Sequence, residues 1–235
     1  MVEPRVERDT ILLLADISGY TRYMVENRTA ALHSQGIITE LLEAVIHQVE
    51  LPLEVAKLEG DAVFMFAERR EGADWAADCR RIGAGLEAFV AAFDAKLAEL
   101  LDTLACPCSA CRNLDKLRLK VVAHAGQAVR HRLGRFEELT GVDVILVHRL
   151  LKNRVEANSY LLLTPTAFAT LEPPAAASFE ATVLADRDLG ELTLHVRLLE
   201  PPRISDGPAE GVSAWFRTLL RELRWRVRAW RSPRR

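Results

Sequence analysis

The run Ile11-Leu12-Leu13-Leu14-Ala15 offers an apolar side chain at every position and then stops on a carboxylate, Asp16. A short apolar run with a polar stop reads as a strand buried inside a sheet. Such a strand needs covering layers, and the sequence after it supplies them. Residues 21–50 read as a helix with apolar positions at Leu32, Ile37, Ile38, Leu41, Leu42, Val45, Ile46 and Val49, ended by Pro52. Residues 53–58 and 62–67 read as a hairpin turning at Glu59-Gly60-Asp61. A second amphipathic helix is expected over about 74–104. Its stripe runs Trp75, Cys79, Ile82, Leu86, Phe89, Val90, Phe93, Leu97, Leu100, Leu101 and Leu104.

Beyond it, 117–125 and 127–136 read as strands, 144–154 as helix, 160–163 as strand and 166–171 as a short helix. Residues 179–185 and 191–199 close a hairpin around Leu189-Gly190. The order β-α-β-β-α-β, with strands and helices appended, predicts a ferredoxin-like α+β sandwich with helices on one face of an antiparallel sheet. Pro201, Pro202, Asp206, Gly207 and Pro208 mark a linker, dividing the chain into a domain over 9–202 and a tail over 203–235.

The chain is 49% hydrophobic and 27% charged, as in ordinary globular proteins. Its first ten residues are polar, so no secretory leader is expected. No stretch approaches the roughly 18–20 apolar residues that span a bilayer. Four cysteines without an export signal argue against a disulfide framework, and the expected compartment is the cytoplasm. The net charge of −2 hides an asymmetry. Residues 217–235 carry eight arginines against one acid, Glu222, a net +7 that leaves the first 216 residues at −9.

Asp16 and Asp61 both stand at strand edges, where a buried sheet can present charge to a ligand. Two such carboxylates could clamp a pair of hard cations against a triphosphate. Read alone, each is as readily a helix-capping or turn aspartate. The stretch Asp16-Ile17-Ser18-Gly19-Tyr20-Thr21, taken with Lys57-Leu58-Glu59-Gly60-Asp61, resembles the metal site of the class III nucleotidyl cyclases. The resemblance covers roughly residues 9–200. It implies that Asp16, Asp61 and the Ile17 carbonyl hold two Mg²⁺ or Mn²⁺ ions, and that Lys57 reads the purine. In Phe136-Glu137-Glu138-Leu139-Thr140-Gly141, Glu138 takes the family's base-reading aspartate position, with ATP favoured over GTP. In Gly141-Val142-Asp143-Val144-Ile145-Leu146-Val147-His148-Arg149, Arg149 matches the arginine that steadies the phosphate charge. Ile145 stands where the family has asparagine and can make no hydrogen bond to ribose. Asn153, further along, cannot be assumed to replace it. Arg187, in Asp186-Arg187-Asp188-Leu189-Gly190, falls at the family's triphosphate-contacting lysine. A head-to-tail homodimer with two interfacial sites is also implied.

Two features lie outside that resemblance. Cys106-Pro107-Cys108-Ser109-Ala110-Cys111, within an insert over 105–115, has the density of a structural zinc site. A fourth ligand from a histidine or a partner subunit would complete it, while three reduced thiols in a loop is the plainer reading. Residues 211–231 alternate an apolar stripe (Val212, Trp215, Phe216, Leu219, Leu220, Leu223, Val227, Trp230) with arginines. That pattern fits either docking on the acidic body or peripheral contact of 211–235 with an anionic membrane. No nucleic-acid-binding motif accompanies it, so nucleic acid is not an expected partner. The expectation is a cyclase-like protein converting ATP to cyclic AMP and pyrophosphate. The alternative is a pseudocyclase that senses nucleotide or metal, or a membrane-associated regulator.

Overall fold

The computed structural model describes residues 6–103 and 108–200. Cys106, the end of the long helix at Leu104 and the whole basic tail lie outside the described residues.

The apolar run becomes the middle of β1 (Glu7–Ser18), whose residues 11–15 are almost fully buried. The chain then forms α1 (Tyr20–Glu26), α2 (Ala31–Ile46), the hairpin β2 (Glu54–Glu59) and β3 (Ala62–Glu68), and α3 (Trp75–Thr103). After the short α4 (Ser109–Arg112) come β4 (Arg118–Leu133), β5 (Phe136–Thr140), α5 (Val142–Leu150), β6 (Tyr160–Leu163) and α6 (Pro165–Leu171). The hairpin β7 (Glu180–Asp186) and β8 (Gly190–Leu198) completes the described fold. The sheet runs β2-β3-β1-β4-β6-β8-β7, with β5 paired to β4. Its first four strands have the ferredoxin-like order. Pairing is antiparallel except between β4 and β6, so the expected α+β sandwich is present.

Alternation along β1 sends Ile11, Leu13, Ala15 and Ile17 into one core with α2 and α3, and Leu12 and Leu14 into another. The second core holds Val147 and Leu150 of α5, so helices cover both faces rather than one.

Three local expectations are corrected. The first helix is broken: the Asn27 side chain donates to the Tyr23 carbonyl at 2.7 Å, closing α1, and a 3₁₀ turn at Arg28–Ala30 precedes α2. The strands expected on either side of Gly126 are one continuous β4, paired with β1 from Glu7↔Val129 to Ser18↔Arg118. Gly126 serves as a place of close approach, because a Cβ there would lie 2.2 Å from the Asp143 carboxylate. That carboxylate accepts from the Gln127 N–H at 2.6 Å. The helix expected over 144–154 starts earlier and stops at Leu150, where the Asn153 amide bonds the Leu150 carbonyl and the Tyr160 hydroxyl.

Helices α3 and α6 meet at Gly83, where a Cβ would lie 1.9 Å from the Leu171 backbone oxygen. Backbone cannot swing aside as a side chain can. Gly83→Ala is therefore expected to destabilise the fold by about 1–3 kcal/mol. Gly85→Ala, two positions on with nothing within 4 Å, should stabilise it by about 0.5–1 kcal/mol. Urea denaturation of the two variants checks the contrast.

Candidate functional site

Two glycines set the first cluster. Gly60, at φ +72°, turns β2 into β3, and Gly19, at φ +87°, turns β1 into α1. Both angles favour a residue without Cβ. Between these turns the β1–β3 ladder pairs Asp16 with Ala62, and the Ile17 N–H donates to the Asp61 carbonyl at 3.1 Å. The expected carboxylates Asp16 and Asp61 thus lie side by side. Burial first, and then the charge of Asp16, push the Asp61 carboxyl up to about 6, with Lys120 pulling the other way. Two carboxylates crowded into one half-buried site resist ionising together.

Lys120 is the residue that local sequence patterns do not single out. It pairs with Asp16 across the β1–β4 ladder, and its ammonium sits 2.9 Å from Asp16 Oδ2. A lysine between Leu119 and Val121 in a buried strand is the only hint that the sequence carries.

The second cluster gathers on β2, β5 and α5. Lys57 lies just past a register shift in β2; its ammonium is 3.1 Å from Glu59 and 3.8 Å from Glu138. The two residues expected to read a base therefore meet within the one chain. Glu59, unremarked in the sequence, also receives His148, whose Nε2 is 3.0 Å away while its Nδ1 faces the Val144 carbonyl at 2.7 Å. Burial opposes charge on Glu59, but Lys57 and His148 outweigh it and hold the carboxyl below its ordinary value. Phe64 meets the His148 ring edge-on, 4.9 Å between centroids. Lys57 and Glu138 open onto a cavity of about 220 Å³ lined also by Phe64, Phe66, Arg130 and Leu139.

Arg149, next to His148, reaches the β7–β8 turn. Its Nη1 is 3.1 Å from Asp186 and its Nη2 is 2.6 Å from Asp188, which together raise its pKa. Asp186 is itself held below its usual range by the N–H groups of Asp188 and Leu189, with Arg149 adding to them. Arg187 is exposed between the two aspartates. Ile145 is 55% exposed, and Asn153 is occupied in closing α5, two turns away.

With this geometry established, comparison with known proteins gives the relationship. Residues 38–160, just over half of the chain, match the family described as "Protein of unknown function (DUF2652)". The chain belongs to that family. It is 36% identical over 135 residues to the uncharacterized protein Rv2561/Rv2562 of Mycobacterium tuberculosis, a match covering 57% of this chain and 60% of that protein. The chain thus spans about three fifths of that relative's length. Among solved structures it is similar to the adenylyl cyclase CyaB from P. aeruginosa, with a TM-score of 0.62 and 13% identity over 86% of this chain and 99% of that one. The guanylyl cyclase Cya2 gives 0.58 and 13%, over 87% and 99%. A bacterial light-regulated adenylyl cyclase gives 0.60 and 13%, over 94% and 58%. At this identity the likeness establishes the fold, that of class III cyclase catalytic domains, and does not choose between adenine and guanine.

The raised Asp61 carries a pH dependence. The folded chain holds its proton more tightly than the unfolded one, a contribution to stability present at low pH and lost as pH rises through about 6. Asp61→Asn copies the protonated shape. It should melt higher than wild type above about pH 6, with the gap closing below the unfolded carboxylate value near 4. A melting series in chelator-treated buffer checks it.

Proposed function

We propose that residues 9–202 of this chain form a nucleotidyl cyclase that acts as a homodimer on nucleoside triphosphates, ATP favoured. One observation carries the proposal: Asp16 and Asp61 are adjacent at the end of the central strand, where burial and then the charge of Asp16 raise the Asp61 pKa. Two carboxylates and the Ile17 carbonyl form an all-oxygen donor set of the kind hard divalent cations take. Two Mg²⁺ or Mn²⁺ ions held there would supply charge neutralisation to the triphosphate and the departing pyrophosphate.

The chain's own residues do the rest. Lys57 and Glu138 present a donor and an acceptor to the edge of a purine. Arg149 exchanges its carboxylate partners for phosphate oxygens as charge develops there, and Arg187 approaches the triphosphate from the hairpin tip. The ribose 3′-hydroxyl gives up its proton to solvent, its oxygen bonds to the α-phosphorus, and the bond from that phosphorus to the leaving pyrophosphate oxygen breaks. A pocket for a small ligand usually measures roughly 300–1,000 Å³, more than the cavity at Lys57 and Glu138 supplies. A second copy would enlarge it. The exposed apolar side chains of Val55, Leu58, Phe136 and Ile145 on β2, β5 and α5 favour such a contact.

A second reading, a nucleotide- or metal-binding sensor without turnover, is favoured by two other observations. Ile145 leaves the ribose without a side-chain hydrogen bond, and Lys120 already offers Asp16 a cation. Peripheral membrane contact through 211–235 would suit such a regulator; among the described residues no helix is long and apolar enough to cross a membrane.

Purified protein incubated with each of the four NTPs and Mg²⁺ or Mn²⁺, with products resolved by mass spectrometry, separates the readings. The enzyme yields a cyclic nucleotide whose formation falls by about 100-fold or more in Asp61→Ala. Nucleotide binding that needs metal and Asp61 but gives no product selects the sensor, and no binding at all rejects both. Lys120→Met is expected to lower the Mn²⁺ concentration needed for half-maximal nucleotide binding, because the ammonium no longer competes with the metal for Asp16.

A further inference from the structure

The insert between α3 and β4 meets a residue far away in the chain. Cys108 precedes α4 and Cys111 lies within it, while His33 stands in the first turn of α2, 75 and 78 residues earlier. Their side chains converge: Cys108 Sγ is 3.4 Å from His33 Nδ1, Cys111 Sγ is 3.5 Å from His33 Nε2, and the two sulfurs are 3.7 Å apart. All three residues are half-buried, and one ligand atom from each can be chosen so that all lie within 4.8 Å of one another.

The spacing discriminates among chemistries. A disulfide would bring the sulfurs to about 2.05 Å, far closer than the 3.7 Å that separates Cys108 and Cys111. Two thiolates bound at about 2.3 Å on a tetrahedral ion stand about 3.8 Å apart, and a thiolate and an imidazole nitrogen about 3.5 Å. The sulfur–sulfur separation falls at the first of these values; the two sulfurs approach opposite nitrogens of the His33 ring, of which one ion takes one, with the three ligand atoms within 4.8 Å of one another. The donors are soft sulfur and borderline nitrogen, opposite in character to the all-oxygen set at Asp16 and Asp61, so the two clusters select different ions.

We propose that His33, Cys108 and Cys111 are ligands of a structural Zn²⁺ ion. The ion pins the start of α2 to α4. Helix α4 packs on α1, and α1 leaves β1 directly after Asp16 and Ile17. At the same corner Gly19 lies against the Lys116 carbonyl just beyond α4, with a Cβ position 3.3 Å from that oxygen. The zinc therefore braces the connection that carries the end of β1. His33 answers the sequence-level need for a histidine in the cysteine site. Cys106 lies outside the described residues and takes no part in the assignment.

The test uses the full chain purified without chelator, with metal content measured by plasma mass spectrometry and with Co²⁺ exchanged for zinc as a spectroscopic probe. Wild type and Asp61→Ala are expected to hold about one zinc per chain and, with cobalt, to show thiolate-to-metal charge transfer and tetrahedral d–d bands. The Cys108→Ser/Cys111→Ser variant should lose both. His33→Ala should weaken zinc retention against a competing chelator by about 10-fold or more, while His33→Cys restores it with an altered cobalt spectrum. Should a variant fail to fold, wild type stripped by chelator serves instead: its melting temperature should fall and recover with zinc but not with magnesium. A wild-type protein holding no more zinc or cobalt than the double cysteine variant would overturn the proposal. So would zinc lost in Asp61→Ala but kept in the double variant.

Discussion

Strand β1 is hydrogen-bonded along both edges, to β3 and to β4, and buried on both faces. The rest of the molecule depends on this double enclosure. A segment with its backbone fully paired and its side chains dry has one register available, because a slip of one residue would exchange the contents of the two cores. Fixing the register of β1 fixes where its polar end emerges. Asp16 leaves the sheet beside Ala62 on one side and Lys120 on the other, so the chemistry at that corner is a consequence of the apolar packing of residues 11–15.

The same enclosure explains what could be read from the sequence. Asp16 and Asp61 were legible because each is marked by its immediate neighbours, the first by an apolar run that stops and the second by a glycine turn between two strands. The long helix α3 was legible from its stripe alone, since eight of its stripe positions are buried as spaced. Asn27 was not, because helical periodicity continues on both sides of it and only a side chain turned back onto the Tyr23 carbonyl breaks the helix. Gly126 was misleading for a related reason: a glycine in a strand has the same appearance whether the strand ends or another element comes close.

Lys120 and His33 belong to a different category. Each acts through a partner brought by tertiary structure, Asp16 across a ladder and Cys108 across 75 residues of chain. No window of sequence contains both members of either pair. The apolar face of α5 was hidden in the same way. Val147 and Leu150 mark it as amphipathic, but which side of the sheet it covers is decided by the alternation of β1.

Three of the cations share a further property: Lys120, Lys57 and Arg149 are already compensated within the chain. Lys120 rests on Asp16, Lys57 on Glu59 and Glu138, and Arg149 on Asp186 and Asp188. Compensation of this kind keeps a cleft rich in charge from opposing the fold. Under the proposed function it also means that a triphosphate would gain only the difference between its own contacts and those it displaces, with part of its binding energy used to reorganise ion pairs. A ligand carrying both anionic phosphates and its own cations matches this arrangement best, because it offers Arg149 new acceptors while giving Asp16 a replacement for Lys120. Phosphate without metal would satisfy the arginine and leave the carboxylate pair as it stands. Under the proposed function, the two halves of the site would respond together to a metal–nucleotide complex and only weakly to either component alone.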